Sequence, residues 1–238
     1  NIIDEALNLD LAIKQSDLVI IAIQVDATSK IIETILNTID NKTTVMDVGS
    51  TKSEIVKSIE NHPKRSQFVA SHPMWGTENN GPKAASAIAF KDRAAVICNG
   101  EESSEKSIEL VKSIYKSLEM NILYMDAEEH DVHTAYISHI SHITSYALAN
   151  TVLEKEREED KIFQLASSGF SSTVRLAKSH PEMWVPIFKQ NKENVLDVLN
   201  EHITQLRKFK SALEKENFEL LEELITNANK IRGILDQK

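Results

Sequence analysis

The sequence has little glycine, almost no cysteine and no long apolar run, and each shortage excludes something. Cys98 is the only cysteine in 238 residues, so an internal disulfide is impossible and a reducing compartment, by default the cytoplasm, is expected. The longest strongly apolar run, 18–23, is too short to span a bilayer. The net charge of −9 disfavours both nucleic acid and an anionic membrane surface as partners.

The apolar pattern changes character near residue 126. Before it, short apolar runs typical of buried strands alternate with helical patterns, which predicts a parallel sheet covered by helices. The predicted strands span 18–23, 44–48, 67–70, 94–98 and 122–125, and the predicted helices span 28–36, 52–59 and 104–118. After it, apolar positions recur only at helical spacing, which predicts an all-helical domain. Asp126 and Glu129 have the form of a capping box at the boundary.

The six glycines do not provide the Gly-x-Gly-x-x-Gly turn of a dinucleotide-binding fold, because no two have the required spacing. The chain starts with Asn1 rather than Met, and the segment 9–17 before the run 18–23 resembles the approach to the fourth strand of a Rossmann domain. We therefore expect the turn to belong to a segment before Asn1, and the chain as given to bind a dinucleotide poorly.

Ser50 and Thr51 follow Gly49 where the predicted strand 44–48 gives way to a helix. Ligands of open α/β sheets bind at the carboxyl ends of strands, and the start of a helix offers free N–H groups to anions. Both hydroxyls are therefore candidates for ligand contact. An ordinary N-cap is the alternative.

His72 follows the predicted strand 67–70, in a segment where Pro73 and Gly76 fix the backbone. Histidine titrates near neutral pH, so one held at the end of a strand is a candidate general base. A structural loop histidine is the alternative.

The helix predicted after residue 126 carries a polar stripe. Ideal helical spacing puts Asp131, Ala135, Ser138 and His142 on one face, with His139 beside them. A metal site, a substrate pocket and a solvated face all fit such a stripe. Because no Cys or His-Glu-x-x-His pattern completes a ligand set, no metal is predicted.

Arg175 lies in a mostly apolar neighbourhood, and its planar guanidinium suits bidentate recognition of a carboxylate. A surface salt bridge is the alternative. Further on, apolar stripes on the helices near the C-terminus need a partner surface. They indicate either packing within the helical domain or a homodimer interface.

Four blocks, in this order, resemble the prephenate dehydrogenases, the oxidoreductases of tyrosine biosynthesis. They are Asp47-x-Gly-Ser-Thr-Lys52, Ser71-His-Pro-x-x-Gly-Thr-Glu78, His130-Asp-x-x-x-Ala-x-x-Ser-His-x-x-His142 and Gly169-Phe-x-x-Thr-x-Arg-x-Ala177. The resemblance covers nearly the whole chain. It implies a Rossmann-type α/β domain over residues 1–125, with its first βαβ part missing, followed by an all-α substrate-binding and dimerisation domain over residues 126–238.

The resemblance also implies a reaction and a site. Prephenate would undergo oxidative decarboxylation to 4-hydroxyphenylpyruvate, with hydride transfer to NAD or NADP, of which NAD is favoured. His72 would be the general base, Ser50 or Thr51 would lie between the nicotinamide and the substrate hydroxyl, and Arg175 would pair with a substrate carboxylate. The other expected contacts are His142, His139, Gly76 and Thr77 with the substrate, and Ile23, Gln24, Gly49 and Ser50 with the cofactor.

The chain departs from the family pattern at several positions. Gln24 and Ser141 stand where members often have Pro, and Ser171 and Ser172 stand where they have an Arg-Asp pair. Losing that Asp removes a partner beside Arg175, which could change affinity or substrate preference. Two alternatives remain open: an arogenate dehydrogenase, and a non-catalytic helical module for dimerisation or ligand sensing.

Overall fold

The computed structural model describes residues 3–79, 81, 84–86, 88–156 and 161–235. Five strands form one sheet in the order β1-β2-β3-β4-β5. Their bounds are β1 (Leu18–Ile21), β2 (Thr44–Asp47), β3 (Phe68–Pro73), β4 (Ala94–Cys98) and β5 (Asn121–Met125). All five predicted strands are therefore present.

Helices connect the strands and then make up the rest of the chain. The first four are α1 (Leu9–Lys14), α2 (Val25–Thr38), α3 (Ser53–Ser58) and α4 (Glu105–Ser117). The others are α5 (Ala127–Thr134), α6 (Ile140–Glu156), α7 (Ser168–Thr173), α8 (Pro181–Gln190), α9 (Lys192–Glu214), α10 (Phe218–Asn229) and α11 (Arg232–Leu235). No helix in the described ranges is long and apolar enough to cross a membrane.

The sheet is parallel, as predicted, except at one pair of strands. β1, β2 and β3 are parallel, and β5 is parallel to β4, but β4 runs antiparallel to β3. A parallel connection needs a crossover, usually a helix, and the described part of segment 74–93 contains no α-helix. This segment consequently starts and ends at the same edge of the sheet, beside the carboxyl end of β3.

Alternation along the strands builds a core on each face of the sheet. Val45, Phe68 and Val96 pack with α2 on one face, whereas their neighbours Met46, Val69 and Ile97 pack with α4 on the other. A strand covered on both faces is expected to be apolar throughout. Cys98 belongs to the first of these cores and is fully buried, as its apolar surroundings predict.

The helical half begins where the sequence indicates, but not through the predicted cap. Asp126 occupies the N-cap position of α5 with extended backbone, yet its side chain makes no capping hydrogen bond. The amide of Ala127 donates instead to Asn99 Oδ1, at 2.8 Å. Asn99, in the loop after β4, therefore caps the start of α5 in place of Asp126. This contact also joins the helical half to the sheet.

Candidate active site

Two cavities meet at the carboxyl ends of β1, β2 and β3. The larger, of about 740 Å³, lies between the turns after β1 and β2 and helix α8. The smaller, of about 350 Å³, lies between the segment after β3 and helices of the second half. Ser50, Asn79 and Met183 line both. This is the edge of an open α/β sheet at which ligands bind.

The larger cavity collects the residues expected to contact a cofactor. Gly49 and Ser50 follow β2, whereas Ile23 and Gln24 lie between β1 and α2, and all four line the cavity. Because β1 already ends at Ile21 and Gln24 is the N-cap of α2, these two residues belong to a turn and not to a strand end as predicted.

The smaller cavity collects most of the residues expected to contact a substrate. Its lining includes His72, Ser50, Gly76, Thr77, His139 and His142. Thr51 and Arg175 do not line it. Thr51 is 3 % exposed and its hydroxyl donates to Gln190 Oε1 at 2.5 Å, so this side chain joins α8 to the sheet. Of the two neighbouring hydroxyl residues, Ser50 alone lies between the cavities.

His72 is a strand residue and not the loop residue that the sequence predicts. It pairs with Val96 of β4 and is followed by Pro73, the last residue of β3. Burial, together with the positive charge of the nearby Lys52, holds the pKa of His72 well below the usual range. A histidine with a lowered pKa is neutral near pH 7, and a neutral imidazole can accept a proton.

Behind His72 lies a buried string of side chains. His72 Nδ1 is 2.9 Å from His130 Nε2, and His130 Nδ1 is 2.8 Å from Asp131 Oδ1. The Asp131 carboxylate accepts two backbone N–H groups at the start of α3, from Lys52 at 2.8 Å and from Ser53 at 2.9 Å. The string therefore connects β3, α5 and α3.

A second buried network fixes the backbone around His72. The Lys52 ammonium pairs with Asp47 and also donates to the carbonyl of Ser71 at 2.9 Å. The Ser71 amide donates to Asp47 Oδ1, and its hydroxyl donates to the Asp47 carbonyl at 2.7 Å. Since Ser71 directly precedes His72, this ion pair holds the ends of β2 and β3 together.

Gly49 is required by this same network. A Cβ at Gly49 would lie 3.0 Å from Asp47 Oδ2 and 3.1 Å from Val25 Cγ1. The Gly49 amide donates to Asp47 Oδ2 at 2.9 Å. A larger residue would therefore push on a carboxylate that is already engaged.

A π-turn interrupts the helix that carries the polar stripe. Residues Ala135–His139 form it between α5 and α6, and the amide of Ile140 donates to the carbonyl of Ala135. The ideal spacing assumed for the stripe therefore fails at this point. Single π-turns inside helices occur often at functional sites, and this one lies between Asp131, in the buried string, and His142, in the cavity.

His139 and His142 enter the cavity wall in different ways. His139 is buried and its Nδ1 accepts from Asn191 Nδ2 at 3.2 Å; burial lowers its pKa to about 4. The ring of His142 stacks on Trp184 with centroids 3.4 Å apart, and its Nδ1 donates to the Ser138 carbonyl at 3.0 Å. Burial also lowers the pKa of His142. Both rings are therefore neutral near pH 7.

Arg175 lies outside the cavity wall and already has a partner. Its Nη1 donates to Glu78 Oε2 at 2.6 Å, and its side chain is 49 % exposed. Glu78 lines the larger cavity. The salt bridge considered as the alternative for Arg175 is thus present, although with a residue of the second family-like block rather than with an unrelated surface group.

Several residues of the site received no role from the sequence. His130 and Glu78 stand inside the quoted blocks, and the adjacent His-Asp pair at the start of a helix was the available signal for the first. Trp184 lines the smaller cavity, and its buried indole N–H has no hydrogen-bond partner. Asn79 lines both cavities and had no signal in the sequence.

Across the described residues, no group of three or more His, Cys, Asp or Glu side chains has an arrangement that could hold a metal ion. The histidines of the site are instead engaged with one another, with Asp131, with Asn191 or with a backbone carbonyl.

Two family models cover almost the whole chain. Residues 1–124 match the model described as prephenate dehydrogenase, nucleotide-binding domain, and residues 126–227 match prephenate dehydrogenase, dimerization domain. The chain belongs to the prephenate dehydrogenase family. The fold class predicted from the sequence, a Rossmann-type α/β domain followed by an all-helical domain, is confirmed.

Individual relatives agree with this assignment. The chain is 31% identical over 220 residues to the prephenate dehydrogenase of Bacillus subtilis, covering 92% of this chain and 59% of that protein. It is 28% identical over 222 residues to the cyclohexadienyl dehydrogenase of Zymomonas mobilis, covering 93% of this chain and 76% of that one. The chain thus spans only part of the length of these family members.

A solved structure extends the likeness to three dimensions. The crystal structure of prephenate dehydrogenase from A. aeolicus in complex with hydroxyphenyl propionate and NAD+ matches with a TM-score of 0.87 at 28% identity. The match covers 98% of this chain and 82% of that chain.

Proposed function

We propose that this chain carries the catalytic site of an NAD- or NADP-dependent prephenate dehydrogenase, which converts prephenate to 4-hydroxyphenylpyruvate and carbon dioxide. The observation that carries the proposal is the position of His72 and Ser50. The neutral imidazole of His72 faces the smaller cavity, and Ser50 stands where the two cavities meet. Substrate in the smaller cavity would therefore meet a cofactor in the larger one beside both groups.

The residues of the larger cavity fit a nicotinamide. The A. aeolicus family member was crystallised with NAD+, and here Ile23, Val48 and Ile187 supply apolar walls around the polar Ser50. A nicotinamide bound there would accept the hydride that leaves the hydroxyl-bearing ring carbon. Ile23, Gln24, Gly49 and Ser50 would contact it, and NAD is favoured over NADP.

His72 would handle the proton of the reaction. Its imidazole accepts the hydrogen bond of the ring hydroxyl and takes up that proton as the C–H bond breaks. Cleavage of the bond between ring and carboxylate then releases carbon dioxide, and its electron pair aromatises the ring. The new phenol oxygen takes the proton back from His72, so no net proton is produced. Aromatisation drives the step, and the protein mainly orients the substrate.

The remaining substrate contacts are assigned by position. His142, His139, Gly76 and Thr77 line the substrate cavity. Arg175 would bind the carboxylate of the pyruvyl side chain by exchanging its partner Glu78 for the substrate, because an exposed ion pair is weak. The unpartnered N–H of Trp184 offers one more donor to an anionic substrate.

Replacing His72 by Asn tests the proposal in the protein expressed from its complete gene. Loss of a general base is expected to lower kcat by about 100- to 10,000-fold, while the KM for prephenate changes much less. The matched control is His133→Asn, because His133 is an exposed histidine of the same half that does not line the substrate cavity. Equal turnover of the two variants would contradict the role of His72.

Arogenate is the second candidate substrate. It carries an amine where prephenate has a ketone, and Glu78 places a carboxylate next to Arg175, where it could pair with that amine. The relative from Z. mobilis is named for the cyclohexadienyl ring, which both compounds share. Running the same assay with arogenate decides between them: the substrate with the higher kcat/KM is the natural one.

We further propose that two copies of the chain form a homodimer through the C-terminal helices. Residues 126–227 match a dimerization domain. Several large apolar side chains of the C-terminal helices are about half exposed or more, among them Leu206, Leu213, Phe218, Ile225 and Ile234. Leu213→Asp is expected to reduce the mass measured by light scattering from dimer to monomer, whereas Lys208→Glu on the same helix should leave the dimer intact.

A further inference from the structure

The string of side chains behind His72 has a direction that hydrogen-bond chemistry fixes. An ionised carboxylate can only accept hydrogen bonds. Burial opposes ionisation of Asp131, but hydrogen bonds from His130, Ser53 and Lys52 outweigh it and lower the pKa of this carboxyl. His130 Nδ1, 2.8 Å from Asp131 Oδ1, must therefore carry a proton and donate it.

The donor and acceptor roles of His130 then fix those of His72. A neutral imidazole protonated at Nδ1 has an acceptor at Nε2, and His130 Nε2 faces His72 Nδ1 at 2.9 Å. His72 must accordingly donate through Nδ1, which leaves its Nε2 without a proton. A neutral His130 also avoids placing another charge in a region where its side chain is 1 % exposed.

The geometry allows little freedom to reverse this order. The His72 and His130 rings meet edge to face, with centroids 5.1 Å apart. Asp131 is held by the two amides of α3, and its own carbonyl accepts from Asn191 Nδ2 at 2.6 Å. Rotating the Asp131 carboxylate away from His130 would break bonds that no nearby water can replace, since the residue is 2 % exposed.

We propose that His130 and Asp131 are a positioning pair that fixes the tautomer of His72, so that Nε2 presents a lone pair to the substrate cavity. A carboxylate behind a histidine sets the tautomer and orientation of a catalytic imidazole in this way. The benefit to catalysis rests on the proposed dehydrogenase function, but the tautomer itself does not. Neither residue touches the substrate in this assignment.

Nitrogen NMR of the free protein, labelled with ¹⁵N-histidine and studied at mildly alkaline pH, tests the tautomer directly. The His72 signals are identified by their loss in His72→Asn. The expected result is a single His72 species with a proton on Nδ1 and none on Nε2. A His72 protonated on Nε2, or a doubly protonated His130 at that pH, would overturn the proposal.

Two variants of His130 test the cause. His130→Leu removes the acceptor, so His72 is expected to shift toward the Nε2-protonated form that a neutral histidine prefers in water. His130→Gln can turn its amide nitrogen to Asp131 and its oxygen to His72, so the original tautomer should return. His133→Leu on the same helix is the matched control. If His130→Leu leaves His72 unchanged, the pair does not set the tautomer.

Activity provides an independent reading. Hydrogen-bond partners that orient a metal-ligating histidine typically contribute about 10- to 100-fold to activity. By analogy, kcat is expected to fall by about that factor in His130→Leu and to recover in His130→Gln. Because the NMR result needs no turnover, it stands even if the chain proves not to be a dehydrogenase. Conversely, an active enzyme in which the His72 proton exchanges freely between Nδ1 and Nε2 would contradict the proposed positioning pair but not the proposed function.

Discussion

The two ends of the candidate substrate site hold their charges in opposite ways. Near His72, the charged groups Asp47, Lys52 and Asp131 are almost completely buried, and each has several partners. At the other end, the guanidinium of Arg175 is half exposed and pairs with the single carboxylate of Glu78. One end is built from the interior of the fold, and the other from its surface.

The difference shows which end can adapt to a ligand. A buried charge without its partner costs several kcal/mol, roughly 3–5, so the geometry around His72 is stiff before any substrate arrives. An exposed ion pair contributes little and is screened by salt, so Arg175 can exchange Glu78 for another carboxylate at small cost. We infer that the base is held in place by the fold, and that recognition is left to an exchangeable contact.

Among the variants that test this contrast, Asp131→Asn is expected to have the largest effect on stability. One oxygen becomes an NH₂ group that must face a donor, either the Ser53 amide or the Lys52 amide together with His130. The free energy of unfolding, measured by urea denaturation, is expected to fall by about 1–3 kcal/mol, the cost of a buried donor left without an acceptor. Asp197→Asn is the control, because Asp197 is exposed and, within the described ranges, accepts a side-chain hydrogen bond from Tyr136 alone. If Asp131→Asn lost as little stability as this control, the end of the site near His72 would not be stiff.

The pH dependence of stability sharpens the same prediction. The pKa of Asp131 is lower in the folded protein than the ordinary value of 3.8. Its contribution is therefore complete above about pH 4 and is lost as the pH falls through the folded pKa. The wild-type protein should lose stability over this acidic range more steeply than Asp131→Asn, which has no carboxyl to protonate at that position.

The sequence predicts features that depend on local patterns and misses those that depend on contacts between distant positions. The strands and the change to helices after Met125 depend on short patterns, and these predictions agree with the structure. The tether of His72 to His130 joins positions 58 residues apart, and the pair of Arg175 with Glu78 joins positions 97 apart. No periodicity reports such contacts.

Some features within short segments also could not be predicted from the sequence. Ser50 and Thr51 are adjacent hydroxyl residues, and only the packing of α8 shows that Thr51 is used to bind Gln190 while Ser50 faces the cavities. The antiparallel direction of β4 depends on a connection without a crossover helix in its described part. The π-turn at Ala135–His139 changes which residues share a face, and ideal helical spacing cannot anticipate it.

At the other end of the site, replacing Arg175 is expected to have the smallest effect on stability but a clear effect on substrate binding. Arg175→Ala removes an exposed ion pair, so the midpoint of thermal denaturation should stay close to that of the wild type. A charge-assisted hydrogen bond to a carboxylate is worth about 1.5–3 kcal/mol. The KM for prephenate is therefore expected to rise by roughly 10- to 100-fold, with kcat much less affected.

Arg175→Lys separates charge from geometry at this position. Lysine keeps the positive charge but lacks the planar fork that binds a carboxylate with two parallel bonds, so it should restore only part of the lost affinity. The reverse result, in which Arg175→Ala unfolds at a much lower temperature while its KM is unchanged, would mean that Arg175 and Glu78 form a structural clamp. The two ends of the site would then be stiff alike, because substrate would have no exchangeable partner at Arg175.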